Sequence, residues 1–364
     1  MPRDRPRINF AGHLNSETSI GKAARDNIRA LSVNFDITLN EITLSGNDDG
    51  RKFFAGHQLS ESNPSPANIL HFNPDQTEKF IRRYGRSYFG GKHSIGFWVW
   101  EVTKVLPRWK AAAQFYDQIW TASEYCANVF SEEFPDIPVN VVPHLVDVAK
   151  PSIAGRDDFG IPGDKFAFFF AFDAWSRIDR KNPEALVEAF RIVSDEFPDS
   201  VLVVKPRNLD QKSKERIFGS IDRKRLVFID KYLEDADLSA LVACCNCFVS
   251  LHRSEGFGLH LAEAMALGVP VVATGYSGNM QFMRANNSWQ VKFDLKPSLD
   301  PYYKPSGGLW ADPDVVHAAE QMLDVISGYG GKSKQVADKG REFILKHHSI
   351  SAISEAMVKA YRER

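Results

Sequence analysis

Glu255 and Glu263 stand eight residues apart in the stretch Ser254-Glu-Gly-Phe-Gly-Leu-His-Leu-Ala-Glu-Ala-Met-Ala-Leu-Gly-Val-Pro-Val-Val-Ala-Thr274. Gly256 and Gly258 lie between them, at the mouth of a segment with helical character. Small residues there let a ligand approach the first free amides of the helix, where the helix dipole favours an anion. If a helical rise of ~1.5 Å per residue carries the whole interval, the two carboxylates are roughly 12 Å apart. That span suits a ligand with two hydroxylated ends and a diphosphate between them. The plain alternative makes Glu255 a helix cap and Glu263 a solvated helix residue. Against it, Glu263 lies in Leu261-Ala-Glu-Ala-Met265, an apolar setting where an unpaired carboxylate is costly.

A second constellation is Phe172-Asp-Ala-Trp-Ser-Arg-Ile-Asp-Arg-Lys-Asn-Pro183. Arg180 and Lys181 are adjacent cations between a buried strand and a helix, placed to neutralise a diphosphate. Open α/β sheets bind ligands at the carboxyl ends of their strands. Arg253 offers either a phosphate or sugar contact or a surface ion pair, and the sequence leaves the two open. His260 reads as packing. In Tyr276-Ser-Gly-Asn279, Ser277 to Asn279 either close over a ligand or simply cap a loop.

These groups need a frame, and the hydrophobic pattern supplies one. In the first half, strand candidates are Arg7–Ala11, Phe35–Leu39, Ile69–Phe72, Ser94–Trp100, Gln118–Thr121 and Val139–Val146. Helices are expected at Lys22–Leu31, Leu106–Tyr116 and Glu124–Phe134. Residues 45–66 read as loop, and 149–163 as a linker. In the second half the continuous apolar run Phe166–Phe172 suits a strand buried on both faces. A helix over Pro183–Phe197 follows, with Asn182 as cap and Pro183 in its first position. Strands Ser200–Lys205, Leu226–Ile229, Cys247–Leu251 and Pro270–Thr274 alternate with helices Leu238–Ala243 and Leu259–Leu267. Helices at Val315–Ser327, Ser333–His347 and Ile350–Arg362 finish the chain. Such alternation, twice over, predicts two doubly wound α/β domains.

The 364 residues suffice for two such domains. Forty-five Lys and Arg against 46 Asp and Glu leave no overall field, and no basic stripe argues for nucleic acid. Any phosphate must be held locally. Cys126, Cys244, Cys245 and Cys247 form no CxxC pair, so reduced core thiols in a cytoplasmic protein are expected, and no metal site. The polar N-terminus is not expected to act as a signal peptide, and the longest apolar run is too short to span a membrane. Arg82, Arg83 and Arg86 near Tyr84 leave a peripheral contact with the inner face of a cell membrane as an alternative to plain solvation.

The segment from Ser254 resembles the E-x7-E signature of retaining glycosyltransferase family 4, including the A-x-G-x-P-V-V-A-T run that follows. The resemblance implies a GT-B fold, with two Rossmann-like domains facing across a cleft. It implies a first domain of 1–147 joined by the helix 348–364, and a donor domain of 148–347. By resemblance Glu255 lies beside the donor sugar, and Glu263 holds the ribose hydroxyls. Gly256, Phe257, Gly258 and Leu259 take phosphate or sugar oxygens. Ser176, Arg180 and Lys181 resemble the S-x-x-x-R-K-N form of a bacterial polysaccharide branch, with Arg177 or Arg180 on the diphosphate. Gly12 to Gly21 resembles the family's glycine loop, with Gly21 the choice at the helix start and Ser19 behind it. It is not the dinucleotide fingerprint. Phe97-Trp-Val-Trp-Glu101 resembles a W-x-W-E segment, so Trp100 and Glu101 face sugar or acceptor unless they are structural. His144 resembles an interdomain turn residue. Arg253 and Asn279 join the candidate donor contacts by position alone, with the ion-pair and loop-capping alternatives still open.

The implied reaction is metal-independent hexosyl transfer with retention, from a GDP- or UDP-linked donor to a glycan or lipid-linked acceptor. Surface-polysaccharide synthesis is the implied setting. The rivals are a nucleotide-sugar epimerase or hydrolase on the same fold, and a catalytically idle glycan-binding scaffold. Oligomeric state is not legible.

Overall fold

The computed structural model describes residues 5–16, 18–42 and 58–363. Residues 1–4 of the expected polar N-terminus and 45–57 of the expected loop lie outside the described residues. The chain divides into two compact units, Met1–Leu145 with Lys346–Arg364, and Val146–Leu345.

Unit 1 runs β1 (Arg7–Gly12), α1 (Ser19–Leu31), β2 (Asp36–Glu41), β3 (Ala67–His71), α2 (Thr77–Tyr84), β4 (His93–Trp98), α3 (Trp109–Ala113), β5 (Gln118–Thr121), α4 (Glu124–Glu133) and β6 (Val139–Val141). Its strands pair in parallel in the order β2-β1-β3-β4-β5-β6. The chain therefore leaves β1 to one side for β2 and returns to the other side for β3. Loops diverge at such a switch and leave room at the carboxyl ends of the two strands. Helix α1 begins three residues before the apolar pattern suggests, because the Thr18 hydroxyl accepts the amide of Gly21 at 3.3 Å.

Three expectations for this unit need correction. The strand over Val139–Val146 ends at Val141; Pro143, two residues on, has no amide to donate to a ladder. The helix over Leu106–Tyr116 shrinks to the five residues of α3, with Pro107 just ahead of its start. Helix α2 was not expected, since its polar face outweighs the single fully buried Phe80.

The last helix, α12 (Ile350–Arg362), belongs to unit 1. The Ala360 carbonyl accepts from Gln118 Nε2 on β5 at 2.8 Å, and Tyr361 meets Phe35 edge-on at 5.2 Å.

Unit 2 runs β7 (Phe166–Asp173), α5 (Ile178–Lys181), α6 (Pro183–Glu196), β8 (Ser200–Arg207), α7 (Gln211–Phe218), β9 (Leu226–Phe228), α8 (Asp235–Cys244), β10 (Cys247–Ser250), α9 (Leu259–Ala266), β11 (Val271–Thr274) and β12 (Trp289–Val291). The hairpin β13 (Phe293–Pro297) and β14 (Leu309–Pro313) follows, then α10 (Val315–Ser327) and α11 (Lys332–His347). The parallel sheet has the order β12-β11-β10-β7-β8-β9. Phe166, Phe168, Phe170 and Phe172 of β7 share one core with Leu186 and Phe190 of α6 and Met322 of α10, while Phe169 meets Phe248 on the other face. Each buried phenyl contributes about 1.5–3 kcal/mol, so β7 anchors both layers. Its neighbours are β8 and β10, which puts the switch of this unit between β7 and β10. Helix α7 and strands β12 to β14 were not expected from the pattern. Asn182 precedes α6 in the left-handed region (φ 53°) and makes no side-chain cap; its side-chain Nδ2 donates to the Leu251 carbonyl at 2.9 Å.

At the switch of unit 1, His71 stacks on Phe97 (4.5 Å between centroids), which stacks on His144 (5.4 Å). Burial pushes both imidazoles down from 6.5 to about 3. Both are neutral in the fold, whereas the unfolded chain takes up protons below about pH 6.5. Stability of unit 1 therefore falls as the pH drops from about 6.5 towards 3, by ~1.4 kcal/mol per pH unit for each histidine. Urea midpoints measured between pH 7.5 and 5.5 should fall in the wild type and fall less in His144→Phe. Equal slopes in the two proteins would contradict this origin.

Candidate functional site

The loop after β7 and the loop after β10 leave the sheet side by side at its carboxyl edge. They are tied together directly, since the Arg253 amide donates to the Arg180 carbonyl at 2.8 Å. The first loop winds into α5, a single turn that carries Arg180 and Lys181. The second carries Glu255. As a result Lys181 Nζ lies 2.5 Å from Glu255 Oε1, across 74 residues of sequence, and Arg180 Nη1 lies 3.1 Å from Oε2. Arg180 also donates to the carbonyls of Ser254 (2.7 Å) and Ser176 (3.0 Å).

Burial alone would push the Glu255 carboxyl up. The Lys181 and Arg180 cations outweigh that and hold it well below the usual carboxylate range. The carboxylate is thus permanently ionised at neutral pH and can accept hydrogen bonds but not deliver a proton.

The backbone of Glu255 is fixed as firmly. Its amide donates to Ser277 Oγ at 2.8 Å, and its carbonyl accepts from Gly278 at 2.8 Å. Behind it lies His252, fully buried. Asn279 Nδ2 donates to the Thr274 carbonyl (2.9 Å), so Asn279 Oδ1 faces His252 Nε2 at 3.0 Å. That places the ring proton on Nε2 and leaves Nδ1 to accept from Ser250 Oγ at 3.1 Å. Burial lowers the His252 pKa and keeps the ring neutral. Asn279, expected among ligand contacts, is completely enclosed; its side chain orients His252 and the loop after β11.

Helix α9 begins only at Leu259. Half of the Glu255–Glu263 interval is therefore loop, and the helical-rise separation of roughly 12 Å does not apply. Gly258 precedes the helix with φ 88°, a conformation that glycine adopts without strain. The N–H groups of Leu259 and His260 lie ahead of the first intrahelical acceptor. Phe257 packs on Phe282 at 5.1 Å, and it and Leu259 are buried. Of these two residues only the backbone can meet a ligand, as also for Gly256 and Gly258. Glu263 is partnered by His260, whose Nδ1 lies 3.0 Å from Oε2, so His260 does more than pack.

The remaining candidates are also located. Ser176 Oγ donates to the Asp173 carbonyl at 3.0 Å. Between the two arginines considered for the diphosphate, Arg180 stands at Glu255, while Arg177 lies over the Tyr302 ring at 4.6 Å. Arg253 pairs with Asp312 on β14 and lies over Trp310 at 5.6 Å. That is the ion-pair alternative, with hairpin residues as partners. The pattern gave no signal for this hairpin, whose two short strands are joined by residues 298–308 with two prolines and two glycines.

Gly21 and Glu101 belong to unit 1. The Gly21 amide is taken by Thr18, and a Cβ there would sit 2.2 Å from the Ser16 carbonyl oxygen. Close packing, rather than an open amide, explains that glycine. Ser19 is the first residue of α1. Trp100 is fully buried against Trp109 (4.4 Å) and donates Nε1–H to the Lys104 carbonyl, so it is core. Glu101 is half-buried, and its carbonyl accepts from Tyr125 at 3.3 Å. Arg82 pairs with Glu78, Arg83 lies over Tyr84, and Arg86 lies over Phe115. No helix among the described residues is long and apolar enough to cross a membrane.

Two doubly wound units, with a cation–carboxylate cluster at the switch of the second, define the α/β fold of GT-B type. Comparison with known proteins agrees. Sucrose-phosphate synthase from Thermosynechococcus elongatus superposes with a TM-score of 0.70 over 99% of both chains at 15% identity. Anabaena HepE in complex with UDP gives 0.71 over 98% of this chain and 100% of that one at 13% identity. These likenesses establish the fold. Residues 158–294 match the family model described as glycosyl transferases group 1. Over 124 residues the chain is 31% identical to the serotype-specific mannosyltransferase WbdA of Escherichia coli, covering 33% of this chain and 14% of that protein. Over 107 residues it is 30% identical to mannosylfructose-phosphate synthase of Agrobacterium fabrum, covering 27% and 23%. The chain thus spans less than a quarter of the length of these two relatives.

The ion cluster makes a stability prediction. Lys181→Met leaves Glu255 short of one cation and should destabilise the fold by about 1–3 kcal/mol. Adding Glu255→Gln should recover much of that loss in urea denaturation. Additive losses in the double variant would show that the two side chains do not interact.

Proposed function

We propose that this chain is a retaining glycosyltransferase that moves a hexose from a GDP- or UDP-linked donor to a glycan or lipid-linked acceptor. The observation that carries the reading is the meeting of Lys181, Arg180 and Glu255 at the switch between β7 and β10. The group 1 match over 158–294 supports it, since that interval contains all three. WbdA is described as a mannosyltransferase, and HepE is described in complex with UDP and glucose.

In the proposed reaction the bond between the anomeric carbon and the diphosphate oxygen breaks, and the acceptor oxygen bonds to that carbon from the same face. The leaving diphosphate oxygen takes the acceptor proton. Lys181 and Arg180 stabilise the charge that grows on the leaving group, aided by the amides at the start of α9. These fixed cations supply what a bound metal would otherwise supply, so the transfer is proposed to be metal-independent. Glu255, held ionised, accepts hydrogen bonds from sugar hydroxyls and faces the positive charge that develops on the ring. Glu263, steadied by His260, holds the ribose. Glu101, past the carboxyl end of β4, is the candidate contact for the acceptor hydroxyl. Surface-polysaccharide synthesis at the inner face of a membrane is the proposed setting.

A thermal-shift screen of nucleotides and nucleotide sugars tests the reading. A ligand at 100 times its dissociation constant stabilises the fold by ~2.7 kcal/mol. One nucleotide family should shift the wild type, and Glu263→Ala should lose most of that shift. Turnover of the donor should need an acceptor and survive EDTA. Turnover without acceptor would instead indicate an epimerase or hydrolase, and binding without turnover a scaffold. No shift with any nucleotide would sink the proposal.

A further inference from the structure

We infer that Trp175 is a stacking platform for a pyranose ring of the substrate; this rests on the transferase reading and assigns a sugar subsite beside the cation cluster. Of the seven tryptophans, Trp175 alone is exposed, at 65%, and each of the other six is at most 5% exposed. An indole left in water forgoes a large area of apolar burial, and this one stands at the carboxyl edge of the sheet, two residues beyond β7.

The turn that presents it is fixed from both sides. The Trp175 amide donates to Asp173 Oδ1 at 2.9 Å, and the same oxygen accepts from Asn208 Nδ2 at 2.9 Å. The next residue, Ser176, gives its carbonyl to Arg180, which reaches Glu255. The exposed indole is therefore carried on the same hydrogen-bonded loop as the cations. Arg177 follows with φ 70°, a strained conformation for a residue with a side chain. Its guanidinium is pinned over Tyr302 at 4.6 Å.

Tyr302 lies in the loop of the β13–β14 hairpin, which is itself anchored to the Glu255 loop. The Ala311 amide donates to the Arg253 carbonyl at 2.8 Å, and Asp312 pairs with Arg253. The hairpin thus bridges the two loops that carry the site, through Arg177 at one and Arg253 at the other. A flat apolar face beside fixed polar and charged groups is the chemistry that recognises a sugar ring, whose C–H face stacks while its hydroxyls hydrogen-bond. A nucleobase offers a flat face too, and the test separates the two.

Iodide quenching of tryptophan fluorescence reports on Trp175, because the other indoles are shielded. It should be measured alongside thermal shift with UDP, GDP, UDP-glucose, GDP-mannose and the methyl glycosides of glucose and mannose. The expected result is that a sugar-bearing ligand protects the indole and the matching nucleoside diphosphate does not. Trp175→Ala should weaken nucleotide-sugar or glycoside binding roughly 3- to 10-fold in calorimetry while leaving nucleoside diphosphate binding unchanged, and Trp175→Phe should restore most of the loss. Equal protection by a nucleoside diphosphate and its sugar conjugate would assign the indole to the base and overturn the inference. A nucleotide sugar that shifts the melting temperature while no ligand changes the quenching would overturn it too, with the transferase reading intact. No thermal shift with any nucleotide would overturn both.

Discussion

The contact on which the rest of unit 2 depends is the pairing of Glu255 with Lys181 and Arg180. It joins two loops that are distant in sequence and sets the charge state of the carboxylate. It also leaves positive charge at the mouth of a parallel sheet, beside the start of a helix. A carboxylate this enclosed would otherwise favour its neutral form. Its two cations keep it ionised, so it cannot act as a general acid at neutral pH. The cluster therefore ties the two loops together and fixes the charge they carry.

That contact is in turn a product of topology. The chain visits β7, crosses to β8 and β9, and comes back to lay β10 on the other side of β7. At that reversal the carboxyl ends of β7 and β10, neighbours in the sheet, stand side by side with loops that part. The phenylalanine-rich β7 makes the arrangement robust, since it is packed on both faces. Unit 1 repeats the pattern with β1 and β3, where His71 at the end of β3 begins a neutral aromatic stack that continues through Phe97 on β4 to His144. The same kind of fold thus carries charge at one switch and an uncharged, acid-sensitive stack at the other.

Much of this was legible in the sequence, for reasons that differ by region. The buried parallel strands announce themselves as apolar runs, and Pro183 marks the start of α6. Glu255 with Lys181 was recoverable because both flank strand ends, although nothing in the spacing gave their 2.5 Å contact. Where the structure adds to the sequence reading, the causes are physical. Asn279 looked like a ligand contact because it follows a strand in a polar turn, yet its amide is consumed by His252 and Thr274. Gly21 looked like a phosphate-facing glycine, yet the crowding of Ser16 accounts for it. The hairpin was missed because its strands have only five residues each and are separated by the polar, proline- and glycine-bearing segment 298–308, and its role appears only through Arg253 and Arg177. Whether Arg177 or Arg180 joins the cluster is a matter of a single turn of backbone, which spacing cannot resolve.

The central claim is that the cations at the β7–β10 switch are a preformed site for a diphosphate. Calorimetric titration of UDP and GDP into the wild type and into a Lys181→Met variant, with folding of both checked by circular dichroism, tests it most directly. A charge-assisted hydrogen bond contributes about 1.5–3 kcal/mol, so the account predicts that the variant binds the preferred nucleotide roughly 10- to 100-fold more weakly. Equal affinity in a folded variant would mean that the diphosphate does not meet this cluster, and would contradict the account.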